Sequence, residues 1–214
     1  MSRATARVRV KVCGIRNEAD LAAAQGADAL GFVVASPGSP RELPPSEAQR
    51  LARAAPPFVQ TFMVTRETHP SRLAALHGAV ASDAVQVHGI PDGAHAQAVR
   101  KALPCRLVLG VAADAPDALP RARALAAHAD AILLDTGAGG TGRVHDWRAS
   151  ARIVRALRGE VPVVLAGGLT SANVAEAIAA VRPYGVDVSG GVEGPRGKSR
   201  AKVARFLEEA RRHG

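Results

Sequence analysis

The feature that most constrains the fold of this chain is one alternation repeated eight times. A short run rich in aliphatic residues is followed by a longer stretch rich in Ala and Arg, with apolar positions three and four apart. The strand candidates are VRVKVC (8–13), ALGFVV (29–34), FVQTFMV (58–64), AVQVH (84–88), RLVLGV (106–111), AILLD (131–135), VPVVLA (161–166) and GVDVS (185–189). Helix candidates lie near 18–25, 46–54, 71–78, 93–103, 116–129, 147–158, 171–181 and 199–212. Strict alternation demands parallel strands joined by crossovers, and nearly continuous aliphatic strands demand helices over the outer face. Spread over 214 residues, each unit has about 27 residues, which is the anatomy of a compact (β/α)8 barrel occupying 1–214 as a single domain. An open doubly wound sheet competes, but the first strand runs into CGIRNEAD, without the G-x-G-x-x-G of a dinucleotide fold. No linker or shift in composition marks a second domain, and PGSPRELPP (37–45) reads as a long strand-to-helix loop.

Local signals support these elements. Ser46 with Gln49 reads as a capping box, Asn17 precedes an acidic first turn, and Thr170 or Ser171 can cap the helix that follows. Trp147, Ala151, Val154 and Leu157 form one apolar stripe, and Val203, Phe206, Leu207 and Ala210 another. Aromatics make up only 3% of the chain, so Ala, Val, Leu and Ile must build the core.

Composition narrows the function. A net charge of +9 suits an anionic ligand. Nucleic acid would suit the charge too but is the weaker reading, because the arginines are spread over nearly every helix and no aromatics interleave with them as a stacking surface would need. No apolar run approaches the roughly 18 residues that span a bilayer, and MSRATARVRVKVCG lacks the features of a secretory signal, so a cytoplasmic protein is expected. Cys13 and Cys105 have no CxxC spacing and are expected as free thiols; the seven histidines show no HxxxH spacing, so no metal site is expected.

In a barrel of this kind, function belongs to the C-terminal ends of the strands. The first strand ends in Cys13-Gly14, the second leads into Ser39-Pro40-Arg41, the fourth ends in Gln86-Val87-His88-Gly89 and the sixth in Asp135-Thr136. The last two run into Ala166-Gly167-Gly168 and Ser189-Gly190-Gly191-Val192-Glu193. Glycine loops after strands seven and eight are where such barrels hold a phosphate, because backbone without Cβ can turn its N–H groups on to an anion. Cys13 and Asp135 would then face each other across the mouth as a base and an acid beside a phosphorylated substrate. A thiol with a reference pKa of about 8.5 must be tuned by cations, helix termini or the substrate to serve as base. Each residue has a plainer reading as well: Cys13 as a small core filler, and Asp135 as a carboxylate capping the loop that follows it.

At this point the sequence resembles the phosphoribosylanthranilate isomerases of tryptophan biosynthesis. The carriers are Lys11-Val12-Cys13-Gly14-Ile15, Gly31-Phe32, Ser39-Pro40-Arg41, Val85-Gln86-Val87-His88-Gly89, DTGAGGTGRVHDW (135–147), LAGGLTSANV (165–174) and DVSGGVE (187–193). The resemblance implies an Amadori rearrangement of N-(5-phosphoribosyl)anthranilate to the 1-deoxyribulose-5-phosphate aminoketone, without cofactor or metal. It implies Cys13 as general base at ribose C2′ and Asp135 as general acid on the ring oxygen. It also implies Arg41 toward the anthranilate carboxylate, Gln86 and His88 lining the mouth, and Gly167, Gly168, Ser189, Gly190 and Gly191 around the phosphate. The glycines after Asp135 either allow a tight turn into a helix capped by Asp146 or bring backbone N–H groups to the sugar. A small-molecule substrate is the partner implied, for a monomer or a homodimer.

Two departures from the family pattern stand out. Gly190 takes the place of a serine, and Pro195-Arg196-Gly197-Lys198 replaces the usual P-G-x-K. Two alternatives stay open on sequence: a histidine-pathway isomerase acting on another phosphoribosyl substrate, which would carry aspartate at the position of Cys13, and a non-catalytic barrel binding anions or nucleic acid.

Overall fold

Eight parallel strands pair in chain order and close on themselves: β1 (Arg9–Cys13), β2 (Ala29–Val33), β3 (Gln60–Thr65), β4 (Ala84–Val87), β5 (Arg106–Ala112), β6 (Ala131–Asp135), β7 (Val163–Leu165) and β8 (Gly185–Val188). The structure, a computed structural model, describes residues 7–136 and 146–212. Between the strands run α1 (Glu18–Ala23), α2 (Pro45–Arg53), α3 (Pro70–Val80), α4 (Gly93–Ala102), α5 (Ala118–Ala126), α6 (Trp147–Ala156) and α7 (Val174–Val181), and α8 (Arg200–Arg212) closes the chain. The single-domain (β/α)8 barrel expected from the alternation is the fold observed.

Successive side chains on a strand point to opposite faces, and two hydrophobic cores follow from that. The larger lies between sheet and helices and takes Val10 and Val12 of β1, Leu30 and Phe32 of β2, and the helix stripes, including Val203, Phe206, Leu207 and Ala210. Ile153, Val154 and Leu157 of the α6 segment are buried there, with Trp147 packed against its edge. The smaller core fills the barrel with Cys13, Ala29, Val33, Phe62, Val64, Ala84, Val108, Leu133 and Ala166. Its side chains are mostly small, which leaves room inside for polar ones.

Several boundaries move from their expected places, each for a local reason. The helix expected at 46–54 starts one residue earlier, with Pro45 at its first position, and Ser46 makes no capping bond. A fixed φ near −65° suits the first turn, so the proline sets the start and displaces the capping box. Asn17 does cap α1, its side chain accepting from the Asp20 N–H. Neither Thr170 nor Ser171 is the cap of α7, which begins at Val174. The intervening residues form a turn in which the Thr170 N–H donates to Asn173 Oδ1 at 2.8 Å and the Ala172 N–H to Thr170 Oγ1 at 3.2 Å. β3 begins two residues late, because Phe58, after two prolines, has φ +69° and lies fully exposed. After β8 a 3-10 turn (Gly190–Val192) leads into a small hairpin of β9 (Glu193–Gly194) and β10 (Gly197–Lys198), which the strand pattern did not foretell.

Candidate active site

A cavity of about 360 Å³ opens at the C-terminal ends of the strands, and every site residue expected from sequence lines it: Cys13, Arg41, Gln86, His88, Asp135, Gly167, Gly168, Ser189, Gly190 and Gly191. Ser36, Ser39, Arg66, Thr170 and Asp187 line it too. Gly137 to His145, the glycine loop expected at the sugar, lie outside the described residues. Asp146, at the far end of that loop, caps α6 by accepting from the Arg148 N–H at 2.9 Å.

β1 brings the thiol into place. Arg9, Lys11 and Cys13 share the inner face of the strand, and Cys13 is both buried and part of the cavity lining, so packing and presentation to the cavity coexist. Burial pushes its thiol up from the ordinary cysteine value, against the pull of the Lys11 and Lys198 ammonium groups. Lys11 Nζ lies 3.0 Å from both oxygens of Asp187, with both side chains 8% exposed. Burial alone would depress this amine, yet the Asp187 carboxylate, with a smaller contribution from Cys13, holds it above the ordinary lysine value. Breaking such a buried pair by removing one partner costs about 3–5 kcal/mol, because a charge is left without its counterpart.

Asp135 ends β6, three strands from β1 around the barrel through β7 and β8. Its Oδ1 accepts from the Thr136 N–H at 2.7 Å, so the carboxylate caps its own loop while also lining the cavity. Gly167 packs against it: the residue has φ +86°, and a Cβ there would fall 2.5 Å from Thr136 Oγ1 and 3.0 Å from Asp135 Oδ1. Only glycine lets the loop after β7 turn this close to the acid.

Around the rim the charges interlock. Arg41 Nε and Nη2 each donate at 2.7 Å to the two oxygens of Glu193, and Lys198 Nζ, wholly buried, donates to Glu193 Oε1 at 2.9 Å. The hydrogen bond from Arg41, then that from Lys198, holds the Glu193 carboxyl at about 2 against the cost of its partial burial. Glu193 thus takes the side-on edge of the guanidinium in a two-point contact. Ser189 is committed inward, its hydroxyl donating to the Cys13 carbonyl at 3.0 Å and accepting from Lys198 Nζ at 3.4 Å. Gly190, the serine-to-glycine departure, has room for a side chain, whose Cβ would stand in ordinary contact with Arg41 Nη2 at 3.5 Å. The altered P-R-G-K segment still delivers its lysine, because Gly197 turns the hairpin and the Lys198 N–H donates to Asp20 at 2.7 Å.

Gln86 Nε2 donates to His88 Nε2 at 2.9 Å, which places the imidazole proton on Nδ1. Burial first, then the Lys11 charge, lowers His88 to about 4, so the ring is neutral near pH 7. Lys11, Asp187, Lys198 and Glu193 lie in stretches quoted from the sequence but were given no role in the site there. For Lys11 the signal was available: two residues before Cys13 on a strand means the same face.

The sequence model of N-(5'phosphoribosyl)anthranilate (PRA) isomerase matches residues 10–209. An N-(5'-phosphoribosyl)anthranilate isomerase of Haloferax volcanii is 45% identical over 213 residues, covering 95% of this chain and 93% of the relative. Among solved structures, the phosphoribosyl anthranilate isomerase of Thermotoga maritima superposes with a TM-score of 0.82 at 33% identity, covering 95% and 98% of the two chains. A phosphoribosyl anthranilate isomerase in complex with reduced 1-(o-carboxyphenylamino)-1-deoxyribulose 5-phosphate gives 0.79 at 33% identity, with the same coverage.

Proposed function

The chain belongs to the N-(5'-phosphoribosyl)anthranilate isomerase family, an isomerase of tryptophan biosynthesis that turns an aminoaldose into a ketose, and on that premise we propose which of its residues do the work. Asp135 gives a proton to the furanose ring oxygen as the anthranilate nitrogen lone pair expels it from C1′, opening the ring to an iminium. Cys13, as thiolate, removes the C2′ proton; the electron pair moves into the iminium and yields an enolamine, which ketonises by moving a proton to C1′. The substrate amine is its own electron sink, so the chemistry calls for no cofactor and no metal. The glycine loops at Gly167-Gly168 and Gly190-Gly191, with Ser189, hold the phosphate through backbone N–H groups. The end-on edge of Arg41 takes the anthranilate carboxylate, Glu193 keeps the guanidinium oriented, and Gln86 of β4 and neutral His88 just after it contact the sugar without moving a proton.

The observation that carries this reading is the convergence of Cys13 and Asp135, from strands three apart around the barrel, on one cavity rimmed by two glycine loops. Because burial keeps the thiol protonated at neutral pH, kcat/KM should rise above neutrality as thiolate forms. Among the described residues no helix is long and apolar enough to cross a membrane, and we place the enzyme in the cytoplasm, as a monomer or homodimer that light scattering distinguishes.

The test uses phosphoribosylanthranilate generated in situ, with loss of its fluorescence as the signal. The wild type should turn over, Cys13→Ser should lose about 10²–10⁴-fold in kcat, and Asp135→Asn should lose rate while keeping its affinity for product. No turnover by the wild type would sink the assignment, and unchanged turnover in Cys13→Ser would sink the base. If product affinity fell with the rate in Asp135→Asn, the carboxylate would be structural only.

A further inference from the structure

The interior of a (β/α)8 barrel is ordinarily filled by branched aliphatic side chains, and a lysine there needs a reason. Lys11 is inside because it lies two residues from Cys13 on β1, and buried charge is tolerated only when paired. Its partner is set by register: Lys11 of β1 stands opposite Asp187 of β8, and the ammonium sits 3.0 Å from both carboxylate oxygens. On the other side of β1, Cys13 stands opposite Gly31 of β2. A Cβ at Gly31 would lie 2.8 Å from Cys13 Sγ and 3.1 Å from Lys11 Nζ. Thiol and ammonium thus share the space that this glycine leaves empty. The ring of Phe62 on β3, its centroid 5.6 Å from Nζ, flanks the ammonium on a further side.

We propose that Lys11, fixed by Asp187, is the positioning residue that governs the protonation of the Cys13 thiol. Counting charge shows how. With thiol, ammonium and carboxylate together the cluster is neutral, and forming thiolate takes it to one negative charge. Without Lys11 the same step would go from one negative charge to two. Without Asp187 it would go from one positive charge to none. Lys11 therefore favours thiolate, Asp187 opposes it, and a chain lacking both ends close to where it began. The other groups facing the thiol do not change between these variants: Lys198 from β10, Arg41 from the loop after β2, neutral His88 from the end of β4, and Asp135 across the cavity on β6.

The catalytic meaning of this device rests on the reading of Cys13 as the base, but its test does not. In a Cys105→Ser background, so that Cys13 is the sole thiol, alkylation by iodoacetamide is followed across pH in the unliganded protein. The midpoint should move up in Lys11→Met and down in Asp187→Asn, and return near the parent in the double variant. Each single shift should be about tenfold in the fraction of thiolate at a fixed pH below the midpoint. Should Lys11→Met fail to fold, the fall in Asp187→Asn and its reversal in the double variant decide the matter. Midpoints that stay in place, or both single variants moving the same way, would overturn the proposal. Turnover that survives in Cys13→Ser would instead remove the base while leaving the ordered midpoints standing.

Discussion

His88 and Glu193 are side chains whose ionisation links this site to the stability of the fold on the acid side of neutrality. His88 is lowered from 6.5 to about 4 by burial and then by the Lys11 charge. Between those values the unfolded chain binds a proton that the folded chain does not, so stability falls as pH drops from about 6.5 to about 4 and is flat with respect to this group below that. Glu193 is lowered from 4.5 to about 2, chiefly by the bond from Arg41, and its contribution is present above 4.5 and lost as pH falls toward 2. Urea unfolding at pH 7 and pH 4 should therefore show a loss of about 1–3 kcal/mol that is largely absent in His88→Gln; an equal loss in both proteins would assign it to other groups. At this scale the sequence reveals residues at strand ends, where side-chain position follows from topology. Cys13, Asp135 and His88 are strand-end residues of this kind, and all three line the cavity. Asp187 and Glu193 are not revealed in this way, because their importance comes from partners far along the chain, Lys11 and Arg41, and pairing between strands is not written in either strand alone.

For a single element, the helix starts separate a pattern from its use. Asn17 and Ser46 both sit where a capping residue is expected, yet only Asn17 accepts a backbone hydrogen bond. Asn17→Ala should cost about 1 kcal/mol in chemical denaturation, whereas Ser46→Ala, at an exposed position without a capping bond, should stay within about 0.5 kcal/mol of the wild type. A larger loss at Ser46 would restore the capping box. The reason the box was misread is local: Pro45 favours the first helical turn through its fixed φ, and a proline outranks a serine when the two compete for the same start. The hairpin of β9 and β10 was invisible for a different reason. Two-residue strands carry no periodicity, and what holds this one is Asp20, which accepts from the backbone of both Lys198 and Arg16.

The barrel as a whole was legible because its signal is a period repeated eight times, so errors of two or three residues at single boundaries do not change the count. What the period does not carry is the polar furniture inside: which inner positions are small, and which large polar groups occupy the room they leave. The same closure that makes the barrel has a consequence in time. β1 pairs with β2 and with β8, and the Lys11–Asp187 contact joins residues 176 positions apart. Contacts of such separation form late, since loop closure must precede any reward. The buried pair on the first strand is therefore incomplete until the last strand docks. During refolding from denaturant, far-ultraviolet helical signal should recover before isomerase activity, and a chain arrested before β8 joins should look substantially folded yet be silent. Activity thus serves as a clock for ring closure, and its recovery in step with the helices would show the eight units forming in a single event.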